Sequence, residues 1–223
     1  MQKLLPFRQY DEQDVLGIFS LDVSSETATK YVDLAPDNVN FGGGANWSGT
    51  LVKAKAGNEL GKDEPLRTND AYLGAIGSGD QGPYALQEGS FYPQAPLKVE
   101  AVEGDQDQGA LGLTLRPTMA WDENMEKLLY YPVKKDEFQA VLPGETVPVV
   151  TRGFFTVKYG TTATGVTIAG TPAVGNVLKA TAAAGELGVA TSGQKGIARV
   201  LAIGKNGGDN VALIQFGITA IVA

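Results

Sequence analysis

The chain has 223 residues, 43% of them hydrophobic, and a net charge of −7. It contains no cysteine and no histidine, which excludes disulfides, thiol nucleophiles, Cys/His zinc sites and every triad built on imidazole. An enzyme of this composition would be confined to carboxylates, Lys, Ser, Thr, Tyr or an oxygen-ligated metal.

The charge is uneven. Residues 145–223 hold six Lys/Arg against three Asp/Glu, a balance of +3, which leaves −10 of the total −7 on residues 1–144. Phosphate backbones call for clustered cations, and the longest cationic run here is Lys134-Lys135, so direct nucleic-acid binding is not expected. No apolar run approaches the roughly 20 residues needed to cross a bilayer, and the start lacks the apolar stretch of a signal peptide. These features predict a soluble protein with no membrane contact. Asn46-Trp47-Ser48 matches a glycosylation acceptor, which without a secretory signal reads as chance.

Residues 1–40 read as an N-terminal arm and first strand. Leu4, Leu5, Phe7 and Tyr10 are apolar without a period, and Asp14–Leu21 has the composition of a strand. The arm either packs on its own domain or lies on a neighbouring subunit. Residues 41–140 read as a loop-rich β domain. Gly49–Ala56 forms one strand, and Pro96–Val102 with Ala110–Leu115 forms a long hairpin around Glu103–Gly109. A short helix is expected near 122–130, with an acidic first turn and Met125, Leu128 and Leu129 on one face, stopped by Pro132. Thr68–Leu73 is a weaker helical pattern.

Residues 141–223 read as a compact C-terminal β domain. Phe155, Val157 and Tyr159 alternate with Phe154, Thr156 and Lys158, the period of a half-buried strand. Short strands are expected at Gly165–Ala169, Val177–Ala180 and Leu187–Thr191. Arg199–Ile203 and Val211–Ile218 are nearly continuously apolar, which predicts strands covered on both faces. Asn206-Gly207-Gly208 between them supplies the positive φ values that close a hairpin. The fold class is therefore mainly β: short-stranded sandwich or barrel domains with an extended N-terminal arm and one short helix.

Chemical motifs are near misses. Gly57–Lys62 is one residue short of a phosphate loop, and Gly188–Gly193 is followed by Gln194 where Lys is needed. Asp105 and Asp107 alternate like calcium-loop donors but lack the third ligand and distal Glu; a solvated loop tip is the plainer reading. Trp47 or Trp121, the latter beside Asp122 and Glu123, could line a glycosidase cleft, although core packing is the commoner fate of Trp. No catalytic, cofactor-binding or metal site is assigned, and no cofactor is expected.

One stretch carries a resemblance. Val174-Gly175-Asn176-Val177-Leu178-Lys179-Ala180, Gly185–Val189, Gly196–Ile203 and Asp209–Phe216 resemble the small β domain of tailed-bacteriophage capsid cement, or head decoration, proteins, mainly within residues 165–218. The resemblance implies a non-enzymatic virion protein on the capsid exterior. It would bind the major capsid protein, usually as a homotrimer, and stabilise the shell. The apolar arm residues Leu4, Leu5, Phe7 and Tyr10 are the expected contacts to shell or neighbour. Two other classes compete: a tail, baseplate or receptor- or glycan-binding surface module, and a carboxylate-based hydrolase.

Overall fold

The computed structural model describes residues 3–21, 47–56, 58, 97–102, 109–119, 126, 128–142, 145–161 and 166–221. Their strands are β1 (Leu4–Gln9), β2 (Val15–Leu16), β3 (Phe19–Leu21), β4 (Leu51–Ala54), β5 (Leu97–Ala101), β6 (Ala110–Thr114), β7 (Val149–Val150), β8 (Gly153–Gly160), β9 (Ile168–Ala169), β10 (Val177–Ala180), β11 (Leu187–Val189), β12 (Lys195–Asn206) and β13 (Asp209–Ile221). One α-helix, α1 (Pro132–Glu137), and two 3₁₀ turns, Glu12–Asp14 and Leu128–Tyr130, complete the described elements. The protein is mainly β, and its strands form a barrel and a half-barrel.

The alternation in β8 sets the barrel wall. Phe155 and Val157 are fully buried, while Phe154, Thr156 and Lys158 are half-exposed. The first sheet runs β1-β8-β13-β12-β10-β11-β9, and a further pairing of β9 with β8 closes it into a ring. β1 and β9 share one edge of β8: β1 pairs with Phe154–Val157, and β9 pairs with Tyr159 and Gly160. Small residues suit so tight an interior, and Ala180, Ala198 and Ala212 are all completely buried. Gly217 permits the bulge that bends β13. Its φ is +82°, and a Cβ there would sit 2.6 Å from the Thr151 carbonyl oxygen.

The second sheet runs β2-β7-β6-β4-β5-β3. A bridge between Ser20 and Thr146 draws β3 back beside the run into β7. This sheet is covered on both faces at its centre. Leu51 and Val150 join one cluster with Leu4, Phe155, Leu178 and Ile214 of the barrel. Val52 and Val149 turn the other way, into a cluster with Leu21, Val99, Val141 and Val147. One apolar core thus spans both sheets, and the seam is stitched by backbone: Leu51 N–H donates to Gly185 O (2.9 Å) and Gly185 N–H to Val102 O (2.8 Å). A third cluster, Met119, Leu128, Ala140 and Leu142, lies beneath α1.

Four expectations are corrected. First, β5 and β6 do not form a hairpin, because β4 lies between them and Val52 faces Ala101 on one side and Gly112 on the other. Turn residues signalled a reversal, but the upstream strand Leu51–Ala54 supplied the better partner. Second, Pro132 starts α1 instead of stopping a helix, sitting at its first turn, where a missing N–H costs nothing. Leu128–Tyr130 is only a 3₁₀ turn, while Trp121, Asp122, Glu123 and Met125 lie outside the described residues, as does Thr68–Leu73. Third, Asp14–Leu21 is not one strand; β2 and β3 are separated by Gly17 and Ile18. Fourth, the strong hairpin is present as β12–β13, but it is not covered along its length. Every residue from Leu201 to Asn210 is exposed, since the hairpin outruns the barrel wall that β8 provides.

Candidate functional site

The expected arm residues divide sharply. Leu4 pairs opposite Val157 and is fully buried in the shared core, so it is structural. Leu5 is half-buried. The pairing register slips between Leu4 and Arg8, and this irregularity in the edge strand accompanies a Phe7 that is 62% exposed. Tyr10 stays partly exposed and stacks on Phe155, ring centroids 5.9 Å apart and 23° from parallel. Of the four, Phe7 and Tyr10 present aromatic surface.

A cleft of about 750 Å³ opens beside Tyr10. The end of β1, the 3₁₀ turn at Glu12, the loop after β6 and the end of α1 bring Arg8, Tyr10, Glu12, Arg116, Asp136 and Gln139 to its walls. Arg8 is oriented by its Nε, which donates to Leu5 O at 3.1 Å. The α1 wall is anchored by Lys135, whose Nζ lies 2.7 and 2.8 Å from the two carboxylate oxygens of Glu145, and Glu145 also accepts from Leu142 N–H at 2.7 Å. Gln139 follows α1 with φ +50°, the only non-glycine positive φ among the described residues. It occupies the left-handed position that ends many helices, which glycine fills at less cost. Two guanidinium groups, two carboxylates and a phenol suit a mixed-charge polypeptide surface better than a purely anionic ligand.

A second surface is the free end of the β12–β13 hairpin. Leu201 is 37% and Ile203 46% exposed. Leu201 is the extra residue where the register slips between Val200 and Ala202. Asp209 pairs with Lys158 and is thereby occupied as a charge partner. Val174, 60% exposed, lies beside the hairpin base, where Gly175 N–H donates to Val200 O at 2.8 Å.

The seam of the two sheets holds a buried charge. Lys3 is fully buried and its Nζ makes no hydrogen bond; Ser48 Oγ and Thr167 Oγ1 are likewise buried without partners. Burial pushes the Lys3 ammonium down to about 8, partly offset by the Glu186 carboxylate. Burial also raises Glu186, which the Lys3 charge partly opposes.

The sequence-level near misses resolve as follows. Trp47 is a buried core residue. Gly188 lies within β11, and Gln194 accepts from Thr191 N–H at 2.8 Å, so Thr191–Gln194 is a self-closed turn after that strand. Asp105 and Asp107 lie outside the described residues, and among the described residues no three acidic side chains gather as metal ligands. The cleft was not legible in sequence, because its walls come from four separated segments and Arg8, Glu12, Arg116 and Asp136 form no motif. The bare Lys3 beside Leu4-Leu5 was a signal that could have been read. Compared with protein-family models, with curated proteins and with solved structures, the chain matches none.

Proposed function

We propose that this chain is a structural virion protein that binds the outer surface of a phage capsid lattice and cements it. The observation that carries the reading is the free end of the β12–β13 hairpin: ten consecutive exposed residues, with Leu201 and Ile203 among them, held out from a closed barrel. Apolar side chains displayed on a rigid projection are suited to burial against another molecule. The segments that resemble cement proteins fold into the same barrel, as β10 to β13. The exposed Tyr10 lies at the opposite end of β8, beside Gly153, and the exposed Phe7 lies three residues before it on β1. A body with contact surfaces at both ends can bridge neighbours, and modest contacts repeated over a lattice sum to firm attachment.

The test is co-sedimentation of the purified chain with expanded shells that lack it. Saturable binding at a fixed ratio to the major capsid protein is expected, and Leu201→Ser/Ile203→Ser should abolish it while leaving the fold intact. Failure of the unaltered chain to sediment with shells at any concentration sinks the reading.

A further inference from the structure

The cleft and the hairpin tip sit at opposite ends of the barrel. Phe216 pairs with Gly153 and Val211 with Lys158, and the hairpin continues past Lys158 to its turn at Gly207-Gly208. Tyr10, on the cleft wall, sits beside Gly153. At roughly 3.3 Å per residue, the five steps along β8 and the four of overhang separate tip from cleft by about 30 Å. The tip cannot reach the cleft of its own chain.

We propose that the Lys205–Asn210 turn at the end of one copy's β12–β13 hairpin seats in the Arg8–Tyr10–Glu12–Arg116–Asp136–Gln139 cleft of the next, a head-to-tail contact between copies of this chain that leaves Leu201 and Ile203, lower on the hairpin, for the shell. It deepens the assembly reading above by naming the contact between subunits. Charge supports this occupant. The exposed end, residues 201–210, carries Lys205, with Asp209 already paired to Lys158, whereas the turn at the cleft mouth carries Asp11, Glu12 and Asp14. Lys205 has Glu12 and Asp136 to meet, and the amides of Asn206 and Asn210 have the guanidinium groups of Arg8 and Arg116. Shape agrees with charge, because a turn built on Gly207-Gly208 is narrow and lacks Cβ atoms at its apex. Such a contact is heterologous, so repetition makes a closed ring when the rotation fits. It weakens with salt, because its charged groups are exposed before association.

The chain has no cysteine, so introduced thiols report without background. Gly208 and Gly17 each have open space where a Cβ would be built, and Gly17 lies on the cleft wall. Copies bearing only Gly208→Cys are mixed with copies bearing only Gly17→Cys under mild oxidation. A disulfide forms only where the two Cα atoms approach within about 7 Å. The expected result is a heterotypic covalent dimer well above the yield from Gly17→Cys mixed with Val174→Cys, reduced at high salt and by Lys205→Glu. Shell binding scored on the same samples keeps the two readings apart: cross-linked copies that ignore shells support this contact while removing its cementing context. A yield no greater than the Val174→Cys control, or a dominant Gly208→Cys homodimer, overturns the proposal.

Discussion

Lys3 and Glu186 face each other as charges at the seam between the two sheets, and both are buried. The Lys3 ammonium makes no hydrogen bond, so Coulomb attraction to Glu186 is its compensation for lost water. Its depression from 10.5 to about 8 corresponds to roughly 3 kcal/mol of native-state cost at neutral pH. The unfolded chain then binds more protons than the native one between about pH 8 and 10.5, so this group makes stability rise with pH across that window. Urea unfolding at pH 7.5 and pH 9.5 checks it: the wild-type midpoint should increase, and Lys3→Met/Glu186→Gln should remove the increase. The double variant should be about 1–4 kcal/mol more stable at pH 7, whereas Glu186→Gln alone should destabilise by about 3 kcal/mol through the uncompensated ammonium. A flat wild-type profile from pH 7.5 to 9.5 would contradict this account.

Leu4 and Phe7 stand three residues apart on β1 with opposite fates. Leu4→Ala should cost about 2–5 kcal/mol, because it opens a cavity in the core shared by both sheets. Phe7→Ser should leave the unfolding midpoint within about 0.5 kcal/mol, as an exposed substitution does, and lower attachment to shells. Chemical denaturation paired with co-sedimentation separates them; equal loss of stability in both variants would refute the division of roles within the arm.

Gly112 lies in β6, between β4 and β7. A Cβ at this position would overlap the Val150 carbonyl oxygen and press on Val149. Backbone cannot swing aside as a side chain can, so Gly112→Ala should cost about 3 kcal/mol by overpacking. Thermal melting that shows an unchanged midpoint would mean that β6 and β7 sit further apart than described.

Gln139 sits at φ +50° just past α1. Gln139→Gly should relieve about 1 kcal/mol of left-handed strain and raise the unfolding midpoint. The same change removes a cleft wall side chain, so yield in the cysteine-trapping experiment should fall while stability rises. A variant that loses stability would show that the Gln139 side chain holds α1 in place.

Legibility in the sequence followed range. Local patterns read well: the Phe154–Tyr159 alternation gave β8, and Asn206-Gly207-Gly208 gave the β12–β13 turn. Pairings set by distant partners did not. Nothing near Leu97 or Ala110 says that β4 will lie between their strands, because that choice depends on burying Leu51 and Val52 on opposite faces. Continuous apolarity also misled. Leu201 and Ile203 resemble core residues, yet among the described residues no strand extends far enough to cover them. The cleft escaped for the same reason as the sheet order, since Arg8 and Arg116 meet only after the whole chain has folded.

The most direct test of cementing is the temperature at which filled particles release their DNA, compared with and without the bound chain. The account predicts a higher release temperature for particles saturated with wild-type protein, and release at the bare-particle temperature when Leu201→Ser/Ile203→Ser protein is added. Wild-type protein that saturates the shell without raising the release temperature would contradict a cementing role.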